Sequence, residues 1–164
     1  MVIPAKIDDV FAMVEHIERN GARYYREVAD EKGIDPKVRE LLLELADMED
    51  DHEIVFAAMR RKLNERDSAV RPAFEQEGEA VSYLRAMTDS GLIGGQRGPA
   101  TQHGTTRSLS DVIRTAIELE KDSIAFYLGL KEMLLDEPDK RQVDEIIKEE
   151  MRHVVDLYTK LERG

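Results

Sequence analysis

The sequence predicts an all-α protein: a four-helix bundle of two helical hairpins joined by a long crossover that carries a short extra helix. Three observations carry that prediction. Apolar residues recur at steps of three and four along four long stretches, the period of one buried helix face. The stretches fall into two pairs, about 7–66 and 109–162, separated by a connector over 67–108. Charged residues make up 36% of the chain and aromatics 5%, with no Trp, a balance that suits helices and argues against an aromatic-rich β-sandwich. A simple up-and-down bundle needs only a short loop between its hairpins, so the long connector specifies a crossover. The 164 residues are enough for one domain with a sizeable core, and the chain is read as a single domain over 1–164.

The first helix is expected over residues 7 to about 31, with Val10, Val14, Ile17, Gly21, Tyr24 and Val28 as its stripe and Glu18 and Tyr25 on or beside it. Gly21 sits mid-helix, where it costs about 1 kcal/mol relative to Ala, and suits close helix approach. Gly33 is a plausible stop. Asp35 followed by Pro36 opens the second helix as an N-cap and a first-turn proline. Its stripe is Val38, Leu42, Leu45, Glu49, His52, Phe56, Met59 and Leu63, alternating steps of four and three as in a bundle seam. A short amphipathic helix is expected from about Glu75 to Thr88, with Val81, Leu84 and Met87 on one side. The Gly-rich stretch from Ser90 to Pro99 reads as a connecting loop. It is no phosphate-binding loop, because no strand leads in and no Gly-Lys-Ser/Thr follows. Ser108 or Ser110 caps the third long helix, which is expected to run to about Leu135. Its stripe is Ile113, Ala116 or Ile117, Glu120, Ile124, Tyr127, Leu130 or Lys131, and Leu134. Pro138 opens the fourth, with Val143, Ile146, Glu150, His153, Leu157 and Leu161 as its seam.

Charge and composition exclude several classes. A net charge of −11 repels phosphate backbones, so no nucleic-acid partner is expected. The absence of cysteine excludes disulfides, zinc–thiolate sites, iron–sulfur clusters and thiol catalysis. The first residues lack the basic-then-apolar pattern of a signal peptide. No apolar run approaches the roughly 20 residues that span a bilayer. The expectation is a soluble, cytoplasmic protein with no membrane partner.

One motif occurs twice. Glu49-Asp50-Asp51-His52 lies in the second helix and Glu150-Met151-Arg152-His153 in the fourth. A carboxylate and an imidazole three residues apart share a helix face. Glu18 precedes the first copy by 31 residues and Glu120 precedes the second by 30, and each has a tyrosine seven residues on, Tyr25 and Tyr127. Four glutamates and two histidines therefore point into one core. Burying one unpaired carboxylate costs several kcal/mol or forces its protonation, and four together demand compensation. Two divalent cations balance four carboxylates, and carboxylate with imidazole suits iron or manganese and tolerates zinc. The expected ligands are Glu18, Glu49, His52, Glu120, Glu150 and His153. The pattern matches two-metal carboxylate bundles, with Glu49 and Glu150 as bridging or near-bridging carboxylates. His52 and His153 would each end one metal position, and Glu18 and Glu120 would be the outer carboxylates. Tyr25 and Tyr127 could hydrogen-bond ligand carboxylates. His16, off the face of Glu18, and His103, in the loop, are expected to take no part. Glu15, Glu27, Glu44, Glu118 and Glu149 are read as solvated, Glu149 being rotated by about 100° from Glu150.

At these residues the sequence resembles the rubrerythrin branch of the ferritin-like superfamily. The local text is close from Glu18 to Tyr25, from Leu45 to His52 and from Glu118 to Tyr127, and the likeness covers all four long helices without the connector. It implies a non-haem di-iron centre and an oxidoreductase acting on peroxide or O2, as a peroxidase or a ferroxidase. The other function open to it is iron binding and storage, or a stress protein without turnover. Two departures stand out. Rubrerythrins usually carry a rubredoxin-like domain that holds iron through cysteines; here any electron donor must be a separate molecule. They also carry an extra glutamate three residues after the third-helix ligand, where this chain has Ser123. The remaining four-Glu, two-His set is closer to bacterioferritin-type ferroxidase centres. Cage-forming ferritins usually add a fifth helix after the fourth, so a homodimer is expected here in place of a cage.

Overall fold

Among the described residues five helices form in the order expected, α1 Ile7–Ala29, α2 Pro36–Arg66, α3 Glu79–Asp89, α4 Leu109–Met133 and α5 Glu137–Arg163. They belong to a computed structural model that describes residues 6–67, 74–75, 77–89 and 108–163. The Gly-rich stretch from Ser90 to Pro99, and His103, lie outside the described residues.

The helix starts follow local chemistry. Asp35 accepts hydrogen bonds from the backbone N–H groups of Lys37 and Val38, with Pro36 directly after it, so two otherwise orphaned donors are satisfied. Ser108, and not Ser110, caps α4. Its hydroxyl accepts from the Asp111 backbone while Asp111 accepts from the Ser108 backbone, a reciprocal capping box. Between α1 and α2, Gly33 takes a φ of +88°, which favours glycine because it has no Cβ.

α1 packs on α2 and α4 on α5, and the hairpins meet along α1/α4 and α2/α5. Cross-helix bonds fix the directions. Tyr25 and Tyr127 bond Glu120 and Glu18 respectively, so α1 and α4 run antiparallel. The order is therefore up, down, down, up, and the chain must travel the bundle's length between Arg66 and Leu109. α3 lies on that path, packed on α4. It begins at Glu79 and not at Glu75. Phe74 instead pairs with Leu134 in an isolated antiparallel bridge, and the Glu75 N–H donates to the Met133 carbonyl at 2.7 Å.

The α2 seam matches the expected stripe at every position, from Val38 to Leu63. In α1 the buried face is rotated from the expected one. Ile7, Phe11, Val14, Glu18, Ala22 and Tyr25 form its centre, while Val10, Ile17 and Gly21 sit half-buried at its edge. Glu18 and Tyr25 thus lie in the middle of the stripe, because they face the polar layer shared by all four long helices. In α4, Ala116 and Leu130 take the seam. Phe126 is buried where Ile124 is half-buried, and Leu135 lies exposed beyond the helix end. In α5, Leu161 is half-buried in the last turn.

The core divides into two apolar clusters. One gathers around Phe11, Phe56, Phe126 and Leu130; the other around Tyr24, Leu42, Ile113 and Leu157. Between them lies a layer of Glu18, Glu49, His52, Glu120, Glu150 and His153, all buried. Among the described residues no helix is long and apolar enough to cross a membrane.

Candidate metal centre

Each long helix supplies its part of the polar layer from a seam position. α1 gives Glu18, α2 gives Glu49 and His52, α4 gives Glu120, and α5 gives Glu150 and His153. All six residues singled out in the sequence are brought together. They form two overlapping groups, Glu18–Glu49–His52–Glu150 and Glu49–Glu120–Glu150–His153, each with one potential ligand atom per residue, all within 4.8 Å of one another. Ligands about 2.0–2.2 Å from a shared ion stand at most roughly 4.4 Å apart, so small side-chain adjustments suffice for either group to converge on one cation. Glu49 and Glu150 are common to both groups.

Glu150 is central. Its Oε1 is 2.9 Å from His52 Nδ1 and its Oε2 is 3.1 Å from His153 Nδ1. His52 Nδ1 also lies 3.6 Å from Glu18 Oε2, and His153 Nδ1 lies 3.5 Å from Glu120 Oε2 and 3.7 Å from Glu49 Oε1. The two imidazoles stack with centroids 5.9 Å apart and planes 19° apart. Both turn Nδ1 inward.

Several buried atoms have no hydrogen-bond partner among the described residues: Glu18 Oε2, His52 Nδ1, Glu150 Oε1 and His153 Nε2. His52 Nδ1 and Glu150 Oε1 are close yet make no aligned hydrogen bond. Buried polar groups are normally satisfied. Glu18 Oε2, His52 Nδ1 and Glu150 Oε1 converge without an aligned bond among them, as ligands of a shared cation would, and this oxygen and nitrogen donor set fits a pair of divalent metals.

Protonation tells the same story. Burial pushes the Glu49 carboxyl well above the usual range, aided by the charges of Glu150, Glu120 and Glu18. Burial does the same to Glu120, beside Glu150. Burial would raise Glu150 too, but the adjoining side chains of Glu120, His153 and His52 hold it below the ordinary carboxylate range. Burial disfavours the charged imidazoles. The adjacent carboxylates of Glu150 and Glu18 nevertheless lift His52 to about 11, and those of Glu120 and Glu150 lift His153 to about 9. In the metal-free protein these shifts favour protons on the two histidines and on Glu49 and Glu120, which offsets carboxylate charge.

The tyrosines reach across the bundle. Tyr25 donates to Glu120 Oε1 and Tyr127 to Glu18 Oε1, so each serves the outer carboxylate of the opposite hairpin. Burial, then the neighbouring glutamates, raise both phenols well above their usual value, which keeps them as donors. Gly21 lies against Glu49: a Cβ there would stand 3.4 Å from its carboxyl carbon. The close approach is thus to this side chain. Ser123 turns away, its hydroxyl donating to the Leu119 carbonyl at 3.1 Å.

Two residues read as solvated make cross-helix contacts and are partly sheltered. Glu149 places Oε2 2.8 Å from His52 Nε2. Its rotation off the α5 seam aims it at the neighbouring helix, a placement that periodicity within one helix does not show. Glu15 is largely buried and pairs with Arg60 at 3.3 Å. His16 is exposed and takes no part; its Nε2 lies 2.9 Å from Asn20 Nδ2.

No protein-family model and no curated protein matches the chain. Solved structures do. One is a Thermotoga maritima protein described as ferritin-like diiron-carboxylate, 24% identical, with 99% of this chain and 98% of that one covered and a TM-score of 0.65. Another is a hypothetical protein from Pyrococcus furiosus, 21% identical over 96% of this chain and 89% of that one, with a TM-score of 0.65. The fold is therefore that of the ferritin-like helical bundle, and it encloses a buried Glu/His cluster fit to bind metal.

Proposed function

We propose that the protein is a non-haem di-iron carboxylate oxidoreductase that reacts with O2 or peroxide, akin to rubrerythrins in its helices and to ferroxidases in its ligand set. The observation that carries this reading is the pair of overlapping four-residue groups sharing Glu49 and Glu150. Glu18 and His52 would complete one iron position, and Glu120 and His153 the other. The fold's likeness to a protein described as diiron-carboxylate supports iron over manganese or zinc. Two ferrous ions bound there would supply two electrons, enough to cleave the O–O bond of peroxide or to reduce O2 to peroxide.

The chain's own groups fix geometry and exclude bulk water. The apolar clusters on either side keep the layer dry, which strengthens every charge interaction inside. Tyr25 and Tyr127 hold the outer carboxylates in place by donating to the oxygens not needed for metal. With Ser123 three residues after Glu120, α4 adds no fifth carboxylate to the cluster, which favours oxidation of iron over a self-contained peroxidase. A separate electron donor and a homodimeric assembly go with this reading; sedimentation checks the latter against the 18.7 kDa of one chain.

The test is anaerobic loading with Fe(II), metal analysis, and stopped-flow mixing with O2 or peroxide. Two irons per chain and an oxo-bridged di-iron absorption after oxidation are expected. Loading without oxidation by either oxidant would sink the proposal.

A further inference from the structure

The two copies of the repeat differ one residue before each Glu-x-x-His. The second copy has Glu149 there; the first has Met48. Glu149 Oε2 lies 2.8 Å from His52 Nε2, on the outer side of the ring. Its Oε1 lies 3.5 Å from the Arg152 guanidinium, and the counterpart of Arg152 in the first copy is Asp51. One copy thus aims a carboxylate, held by its own arginine, across the bundle at the opposite histidine. The other has a thioether and an acid at those positions. Consistent with this, His153 Nε2 is buried with no hydrogen-bond partner among the described residues.

The consequence follows from the rings' orientation. Both histidines present Nδ1 to the cluster. An imidazole that binds metal through Nδ1 carries its proton on Nε2, and that N–H needs an acceptor. Among the described residues His52 has one and His153 has none.

We propose that Glu149 makes the two metal positions unequal, so that the Glu18–Glu49–His52–Glu150 position fills first and the Glu49–Glu120–Glu150–His153 position second. The inference rests on the two-metal reading above. Glu149 is a positioning residue. It fixes the tautomer and ring orientation of His52, and its charge, half-sheltered at 36% exposure, adds attraction at that position alone. Arg152 holds the side chain and offsets part of the charge. Losing an outer carboxylate of this kind lowers metal affinity by about 10–100-fold.

Calorimetric titration of the metal-free protein with Co(II), paired with the visible absorption of bound Co(II), tests this. The wild type should show two steps about 10–100-fold apart. Glu18→Gln should remove the tighter step and Glu120→Gln the weaker. Glu149→Ala should weaken the first step until the two merge, and Glu149→Gln, which keeps an acceptor oxygen without charge, should recover part of the separation. A purely structural role would weaken both steps together in Glu149→Ala and would overturn the proposal. Two equal steps in the wild type would overturn it too, while leaving the two-metal reading intact. No Co(II) binding by the wild type would overturn both.

Discussion

Glu150 touches both histidines, one through each oxygen, and belongs to both potential metal groups. Its replacement should therefore differ in kind from replacement of an outer carboxylate. Glu150→Ala is expected to abolish binding at both positions, whereas Glu18→Ala should leave about one metal per chain; metal analysis after gel filtration decides. The tyrosines make a different prediction. Tyr25→Phe leaves a buried Glu120 oxygen without its donor, and such a loss costs about 1–3 kcal/mol. Urea unfolding of the metal-free protein should show that decrease, and an unchanged midpoint would mean that the Tyr25–Glu120 bond contributes nothing. At this scale the six candidate ligands were legible because each replaces an apolar residue on a helical stripe. Glu149 was not, because it lies off its own seam and its partner is on another helix.

Among the elements, α3 shows how a short segment is held. It presents Val81 and Leu84 to the core and rests on α4 at Gly129. A Cβ at that glycine would lie 2.5 Å from the Tyr83 ring and 2.9 Å from a Leu84 methyl, so the contact exists only because Gly129 has no side chain. Tyr83 also donates to the Ala125 carbonyl at 2.8 Å. Gly129→Ala gains about 1 kcal/mol in helix propensity but crowds the contact at a cost of about 1–3 kcal/mol. Net destabilisation is expected. In a Tyr83→Ala background the closest clash is gone and the same substitution should become neutral or stabilising. A double-mutant cycle by chemical denaturation measures this, and equal effects in both backgrounds would refute the packing account. The crossover helix itself was visible as an amphipathic run, but its start was not. The bridge of Phe74 to Leu134 takes up the residues before it, a pairing with the far end of α4 that local propensity does not encode.

For the whole molecule, the polar layer couples stability to pH and metal. His52 and His153 hold protons to about 11 and about 9, against 6.5 ordinarily. Above pH 6.5 the metal-free folded protein therefore binds more protons than the unfolded chain, and stability declines as pH rises. The contribution of the two histidines is complete below about 6.5 and is lost through 9 to 11. The raised carboxyls of Glu49 and Glu120 act in the same direction, and Glu150, held low, acts oppositely at acid pH. The melting temperature of the metal-free protein should fall between pH 7 and pH 10. Metal should oppose that fall, since it replaces the protons and binds the folded state, adding about 2.7 kcal/mol at a free concentration 100 times Kd. Thermal melts across that range, with and without metal, check both statements; a flat metal-free profile would contradict the first.

What the sequence by itself determined is the set of helices, the crossover between hairpins, and the six groups that meet in the core. These rest on local rules: a 3.6-residue period, capping chemistry, and the cost of burying carboxylates. What only the tertiary structure decided is who faces whom across the seams. Tyr25 serves Glu120 and Tyr127 serves Glu18, Glu149 reaches His52, and His153 Nε2 has no equivalent partner among the described residues. Those pairings depend on the up, down, down, up order and on how far each helix slides along its neighbour. Both are set by packing of the whole bundle, which no single helix's periodicity contains.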